Sequence, residues 1–371
     1  MSTSEVPIYT ILEADGQYPD QQLEEKLFND DPTHPYKVRF VRSTLAPSET
    51  DVRAPWTDVP KDVRDEVDGL MILKLRLGEE DLKLFPRLKV VVRMGVGYDV
   101  IDRAACARRG VTVCNVPDYG TEDIADHAIG LALSLRRGIL LHNDLQRASP
   151  PAPYFQIRRH PLTLPPIAFS CPINHPLIAR SRGATFGILG LGRIGTAVAL
   201  RAKAFGWHVI FYDPYLPNGA DKAVGVERTK NIKDLFRRSS ILSIHCPATR
   251  ETKNMVNYDL LSLLPQKAVL VNTARGEVVD IDAVERCLKE GGLIGAGLDV
   301  LPIEPPPEPV HSLIKAYRDK EPWLTGRMVL TCHTAFFSPS SLEEIRSKSA
   351  QTMREVLIDK MQSNVITPDM E

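Results

Sequence analysis

Three polar residues late in the chain have the types and placement to move a hydride and a proton. Arg275 sits in Asn272-Thr273-Ala274-Arg275-Gly276, Glu304 in Asp299-Val300-Leu301-Pro302-Ile303-Glu304-Pro305, and His333 just after the apolar run 328–331. Each follows a stretch with strand character. Ligands in open α/β sheets lie beyond the carboxyl ends of strands, so these side chains are placed to converge on one crevice. An arginine fork holds a carboxylate and polarises a neighbouring carbonyl. A histidine beside a carboxylate moves a proton near neutral pH. The set suits hydride exchange at a carbon that bears oxygen next to a carboxylate. Each residue also has a plainer reading: Arg275 as a surface ion pair, Glu304 as a solvated loop acid, His333 as a satisfied semi-buried histidine. The other histidines (34, 127, 142, 160, 175, 208, 245 and 311) lack this placement and read as structural or exposed.

A hydride needs a carrier. Gly190-Leu191-Gly192-Arg193-Ile194-Gly195 follows one predicted strand and opens a predicted helix. In such a turn the first glycine permits the tight bend, the second lets backbone approach a pyrophosphate, and the third lets helix and strand pack closely. The helix amino terminus then offers N–H groups and a positive dipole to the phosphates. The hexamer alone is weak evidence. Asp213 adds to it, ending the next strand 23 residues after Gly190. A carboxylate there accepts hydrogen bonds from the adenosine ribose and repels a 2′-phosphate, which points to NAD over NADP. On its own, Asp213 could equally be a turn residue before Pro214.

The elements that must position these residues follow from hydrophobic periodicity. Strands are predicted over 7–12, 37–41, 69–73 and 89–93, with continuous apolarity suited to a parallel sheet buried on both faces. A helix is predicted over 123–135, with Ile124, Ala128, Leu131 and Leu135 on its apolar face. The alternation resumes with strands over 184–189, 208–212, 241–245, 268–272, 294–300 and 328–331, separated by helices over 193–205, 232–238 and 282–290. That series is a doubly wound parallel sheet. A last helix is predicted from a capping-box pattern at 340–344 to about residue 361.

Composition excludes several classes. Hydrophobic residues make up 43%, and 46 Lys+Arg against 47 Asp+Glu leave a net charge of −1, with no pull toward nucleic acid or an acidic membrane surface. No apolar run is long enough to span a bilayer. Residues 1–15 carry Glu5, Glu13 and Asp15 and no basic leader, which does not read as a signal peptide. The six cysteines are scattered, without a C-x-x-C pair, so neither a disulfide framework nor a metal site is expected, and a reducing, cytoplasmic setting fits. Proline is the outlier, with 29 residues, eight of them between Pro150 and Pro176 and five between Pro302 and Pro309.

The segments 190–195, 272–276, 299–305 and 333–335 together resemble the signature segments of the D-isomer-specific 2-hydroxyacid dehydrogenases, most of all their C-terminal-binding-protein corepressor branch. The blocks 197–206 and 211–215 strengthen the likeness, which spans roughly 69–360. The resemblance implies an α/β fold in which an NAD-binding Rossmann domain (121–337, with a proline-rich insertion at about 148–178) is inserted in a smaller flavodoxin-like substrate domain (1–120 and 338–371). It implies that His333 is the acid protonating the 2-oxo oxygen and the base in reverse, that Glu304 orients that imidazole and raises its pKa, and that Arg275 holds the substrate. NAD contacts carry over onto Gly190, Gly192, Arg193, Ile194, Gly195, Asp213, Cys246, Pro247, Thr252, Thr273, Ala274, Arg275, Asp299 and His333. Substrate contacts carry over onto Val96 and Gly97, whose backbone N–H groups face the acid, and onto Arg275 and Phe336. The partners implied are a small 2-oxo or 2-hydroxy acid and a second copy of the chain.

The chain departs from the family at Cys332, where proline is usual before the histidine, at Val100 in place of asparagine, and at Phe336 where the corepressors carry tryptophan. Lys74 and Arg76 are also unusual, and either could favour a diacid. Two function classes therefore stand: an NAD-dependent reductase of a small 2-oxo acid, and an NAD-sensing transcriptional adaptor that docks peptide motifs and would reside in the nucleus. The complete Arg275, Glu304 and His333 set favours the enzyme, and the absence of a basic localisation run weakens the adaptor. The proline clusters read as two insertions: one fixing Glu304 near His333, and one making a surface excursion or arising from an artefact of the gene sequence.

Overall fold

The computed structural model describes residues 6–16, 18–29, 35–46, 55–151 and 178–368, together with the backbone of 157–158 and 168–169. In chain order the strands are β1 (Ile8–Glu13), β2 (Lys37–Arg42), β3 (Val67–Ile72), β4 (Val90–Arg93), β5 (Thr112–Cys114), β6 (Ile157–Arg158), β7 (Ala168–Phe169), β8 (Thr185–Leu189), β9 (His208–Tyr212), β10 (Glu227–Arg228), β11 (Ile241–Ile244), β12 (Ala268–Asn272), β13 (Leu293–Leu298), β14 (Met328–Leu330) and β15 (Val365–Ile366). The chain divides into two units, Met1–Gly120 with Phe337–Glu371, and Thr121–Phe336. The second boundary falls one residue before the position read from the sequence.

The first unit holds a sheet of order β15-β5-β4-β3-β1-β2. Its first five strands are parallel in the 2-1-3-4-5 order of flavodoxin-like folds. β15 adds an antiparallel edge, with Val365 opposite Cys114. Every residue of β3 is buried, including Asp68, whose carboxylate accepts from the Thr10 N–H at 3.1 Å and pairs with Arg87 and Lys89 at the surface. Trp56 meets Phe85 edge-on in the core beneath the sheet. The helix Pro339–Met353 crosses β3 so closely that a Cβ on Gly69 would lie 2.6 Å from the Met353 sulfur. The capping box that starts this helix is Ser338 with Ser341, not the pattern at 340–344. The helix ends at Met353 in a widened turn, Arg354–Ile358, short of the expected 361.

The second unit is a seven-stranded, wholly parallel sheet of order β10-β9-β8-β11-β12-β13-β14. Numbered from β8, this is the Rossmann order 3-2-1-4-5-6 with a seventh strand added. The alternation of side chains in extended backbone splits each strand between two apolar layers. Val269 and Val271 join the helices Thr121–Arg136 and Arg193–Ala204 on one face. Leu270 joins the helices Ile232–Arg238, Ile281–Glu290 and Ser312–Arg318 on the other. Both faces are covered, which is why the strands read as continuous apolar runs. Gly297 lets the helix Thr121–Arg136 approach, since a Cβ there would lie 3.1 Å from the Leu131 Cβ. The short strands β5, β10 and β15 gave no periodic signal and were not expected.

β6 and β7 pair antiparallel inside the proline-rich stretch. The remainder of 152–177, with the surface excursion expected there, lies outside the described residues.

Candidate active site

Every functional position expected in the second unit follows the carboxyl end of a strand: Gly190 after β8, Asp213 after β9, Cys246 after β11, Arg275 after β12, Asp299 and Glu304 after β13, and His333 after β14. Strand order reverses between β8 and β11, and the loops leaving these two strands meet there. Gly190 has φ +92°, and a Cβ on it would sit 2.9 Å from both the Cys246 nitrogen and the His245 carbonyl carbon. A side chain is excluded on both conformational and steric grounds. A Cβ on Gly195 would lie 2.1 Å from the Gly190 carbonyl oxygen, so this glycine closes the helix onto the turn.

Gly192 differs. It caps the helix Arg193–Ala204 with φ −72°, and a Cβ on it would meet nothing within 4 Å. The reason for glycine there is the open space in front of the helix amino terminus, where Arg193 and Ile194 begin the first turn. This is the cradle a dinucleotide pyrophosphate requires. Asp213 lies against the same turn, its Oδ2 accepting from the Leu191 N–H at 3.0 Å and its Oδ1 from the Tyr215 N–H at 3.0 Å. Across the reversal point, Thr252 ties its loop together by donating to the Pro247 carbonyl at 2.6 Å and accepting from the Thr249 N–H at 2.8 Å. Burial pushes the Cys246 thiol up to about 12, which keeps it protonated and unreactive. Burial pushes the His245 imidazole down to about 3, so it stays neutral beside the Ser243 hydroxyl at 2.7 Å. The Thr273 hydroxyl is buried without a hydrogen-bond partner among the described residues, and a ligand group would satisfy it. These residues fit a nicotinamide dinucleotide.

The loop after β12 is built by Asn272. Its Oδ1 accepts from the Ala274 N–H at 3.0 Å and its Nδ2 donates to the Arg275 carbonyl at 2.9 Å, forcing the turn that presents Arg275. The Arg275 Nη1 donates to the Ala274 carbonyl at 2.8 Å. Gly276 then presses against the backbone of the next loop, where a Cβ would come within 1.9 Å of the Leu301 carbonyl carbon and 2.3 Å of the Pro302 nitrogen. This contact joins the arginine loop to the loop that carries Glu304.

Glu304 uses both carboxylate oxygens. Oε1 accepts from the Leu301 N–H at 2.7 Å, and Oε2 lies 2.6 Å from Nδ1 of His333. His333 has φ +55°, unusual for a residue with a side chain. Asp299 holds that backbone in place: the His333 N–H donates to its carbonyl at 2.7 Å, and its carboxylate accepts from the Thr334 and Ala335 N–H groups at 2.9 Å each. The Phe336 ring stands edge-on to the imidazole, 6.3 Å between centroids.

Val96 and Gly97 belong to the first unit, after β4. There the Val96 carbonyl accepts from Asn115 Nδ2 at 2.7 Å, and the position that requires glycine is Gly95, with φ +144°. His127, read from the sequence as structural or exposed, is part-buried, with its Nε2 3.1 Å from the Thr331 hydroxyl behind Asp299. Position 127 shares the helical face of the buried Ile124, Ala128 and Leu131, which accounts for its part-burial. Among the described residues, Asp282, Glu285 and His311 form a group with metal-ligand atoms within reach of one another. His311 Nδ1 accepts from the Leu313 N–H at 3.1 Å, and its Nε2 faces Asp282 at 2.9 Å, so the group is a helix cap tied to Asp282 by a hydrogen bond. No described helix is long and apolar enough to cross a membrane.

Comparison with known proteins agrees with this geometry. The sequence profile for the "D-isomer specific 2-hydroxyacid dehydrogenase, NAD binding domain" matches residues 172–335. Glyoxylate reductase of Thermococcus kodakarensis is 38% identical over 246 residues, covering 66% of this chain and 69% of that protein. C-terminal-binding protein 1 of Caenorhabditis elegans is 33% identical over 300 residues, covering 80% of this chain, which spans only 38% of the worm protein's length. Among solved structures, the NADPH-dependent glyoxylate/hydroxypyruvate reductase of Sinorhizobium meliloti with NADP and malonate superposes with a TM-score of 0.72 at 26% identity, covering 96% of each chain. D-lactate dehydrogenase of Aquifex aeolicus with NAD and lactic acid gives 0.71 at 25%, covering 96% of this chain and 98% of that one. With its glycine turn, its sheet order and its paired His333 and Glu304, the chain belongs to the D-isomer-specific 2-hydroxyacid dehydrogenases, the NAD-binding oxidoreductases of 2-hydroxy and 2-oxo acids.

Proposed function

We propose that this protein reduces a small 2-oxo acid to the D-2-hydroxy acid with NADH, and catalyses the reverse reaction. The observation that carries the reading is the 2.6 Å contact between His333 and Glu304 in the unit that holds the dinucleotide turn. Relatives named as glyoxylate and hydroxypyruvate reductases support a short, unbranched acid.

The dinucleotide supplies or accepts the hydride when bound. Gly192 and the amino terminus of the helix Arg193–Ala204 would hold its pyrophosphate, and Asp213 its adenosine ribose. An acid at that position disfavours a 2′-phosphate, so NADH is the preferred cofactor. A carboxylate accepts hydrogen bonds only, so Glu304 fixes His333 with Nδ1 protonated and leaves Nε2 to exchange the proton of the substrate hydroxyl. Arg275 holds the substrate carboxylate through its planar fork and draws electron density from the adjacent carbonyl.

A homodimer belongs to the same reading. It is supported by large apolar side chains left exposed in the second unit, Ile139 at 54%, Leu140 at 41%, Leu200 at 54% and Phe205 at 46%. A cytoplasmic setting is supported by the five described cysteines, all free thiols. Light scattering after size exclusion tests the first, and cell fractionation the second.

The central experiment is a panel of 2-oxo acids with NADH, comparing the wild type with His333→Ala. Turnover of a short 2-oxo acid by the wild type alone is expected. No turnover of any acid would overturn the enzyme reading in favour of a peptide-docking adaptor.

A further inference from the structure

Behind His333 lies a hydrogen-bonded chain in which no expected site residue but Asp299 takes part. The Thr331 hydroxyl is 2.5 Å from Asp299 Oδ1, and His127 Nε2 is 3.1 Å from that hydroxyl and 3.8 Å from the same carboxylate oxygen. Asp299 is 1% exposed, and its carboxylate also accepts the Thr334 and Ala335 N–H groups. Donor and acceptor counting fixes the direction of the chain. The two backbone groups can only donate, and the carboxylate receives the one hydroxyl hydrogen that Thr331 has. The Thr331 oxygen must then accept, so His127 Nε2 carries a proton and donates it.

We infer that His127 is a positioning residue for His333, acting through Thr331 and Asp299. A part-buried hydroxyl whose oxygen loses its donor is costly and turns toward other partners, which weakens its own bond to the carboxylate. The segment 333–335 hangs on Asp299 by three backbone N–H groups and holds His333 at φ +55°. Such a conformation persists only where its surroundings over-determine it. By donating to the Thr331 hydroxyl from the helix Thr121–Arg136, His127 holds that hydroxyl on Asp299 and so fixes the place from which the imidazole exchanges its proton. The inference rests on the reading of His333 as the proton-transfer group.

Three variants separate this role from simple packing. His127→Leu fills the space without a donor, His127→Gln keeps an N–H donor, and Thr331→Val removes only the hydroxyl. Steady-state kinetics should show kcat falling about tenfold or more in His127→Leu and Thr331→Val, the scale set by sub-ångström misplacement of a reacting group, with KM for the 2-oxo acid little changed. His127→Gln should restore kcat, and the His127→Leu/Thr331→Val double variant should be no worse than either single one. Hydrogen–deuterium exchange supplies a readout without turnover. Amides 334 and 335 should exchange about tenfold faster in His127→Leu and Thr331→Val, and at the wild-type rate in His127→Gln. Unchanged kcat and exchange in His127→Leu, or a His127→Gln variant as impaired as His127→Leu, would overturn the inference. If the wild type turns over no 2-oxo acid, the functional reading fails by that result, and the exchange measurement alone decides whether His127 anchors this segment.

Discussion

His333 Nδ1 lies 2.6 Å from Glu304 Oε2, and since a carboxylate only accepts, this contact places an imidazole proton on Nδ1. Glu304 is itself held by the Leu301 N–H, so the carboxylate cannot swing away without breaking a second bond. His333→Ala should lower kcat by about 10²–10⁴-fold, the usual contribution of a positioned acid or base. Glu304→Ala should cost less, because the imidazole remains but loses its orientation. Their double variant should be little worse than His333→Ala, since one residue acts through the other. Wild-type kcat in Glu304→Ala would remove Glu304 from the mechanism.

Arg275→Lys tests geometry against charge. The substitution keeps one positive charge but replaces a planar fork with a point donor. A fall in kcat/KM of about 10–100-fold follows from losing one charge-assisted hydrogen bond. Equal kcat/KM in the two proteins would show that charge alone suffices.

Asp213 should set the cofactor preference. Its carboxylate faces the Leu191 N–H of the glycine turn, where a 2′-phosphate would bring like charge. In Asp213→Ser the preference for NADH over NADPH, read from the two dissociation constants, should shrink about tenfold, equivalent to ~1.4 kcal/mol. A preference that survives the substitution would place selectivity elsewhere.

Two glycines should respond to alanine in opposite ways. At Gly276 the new Cβ would lie 1.9 Å from the Leu301 carbonyl carbon, and backbone cannot move aside cheaply. A loss of about 2 kcal/mol or more of stability is expected, measured by denaturant titration, together with loss of activity. Gly192→Ala meets open space at an ordinary φ, so stability should hold while NADH binding weakens about tenfold. The comparison fails if both variants keep stability and NADH affinity.

Glu13 should make stability fall as pH rises. It ends β1 at 1% exposure, with Arg42 3.7 Å away, too far for a hydrogen bond. Burial, and then the Glu24 carboxylate, push its carboxyl from 4.5 up to about 7 against the opposing pull of Arg42 and Arg346. Below pH 4.5 both folded and unfolded chains hold the proton. Between 4.5 and 7 only the folded chain holds it, so stability declines across that window and levels off above it. Glu13→Gln should flatten this decline and raise the melting temperature at pH 8, by an amount set by ~1.4 kcal/mol per pH unit of separation between the two states. Identical pH profiles in the two proteins would exclude Glu13 as the cause.

Much of this protein was legible because the relevant physics is local. β12 was placed to the residue, since a buried parallel strand is a continuous apolar run closed by Asn272. The dinucleotide turn was legible because glycine spacing encodes a bend and a close approach within six residues. Arg275, Glu304 and His333 stood out by type, because few side chains hold a carboxylate or move a proton at neutral pH, and the structure pairs Glu304 with His333. The capping box was misplaced by two residues because Ser338, Ser340 and Ser341 offer competing hydroxyls, and only the backbone at Ser338 has the extended geometry of a cap.

By itself, the sequence determined the longer strands of both sheets, the cofactor turn and the residue types of the candidate site. The tertiary structure decided which nitrogen of His333 meets Glu304, which backbone Gly276 touches, and that Asp299 binds the His333 segment together. His127 belongs to this second group: 204 residues separate it from Thr331, and its role exists only once the helix Thr121–Arg136 lies across the sheet beside β14. Periodicity reports which face of an element is buried. It carries no information on which donor, arriving from elsewhere in the chain, meets the hydroxyl that serves a buried carboxylate.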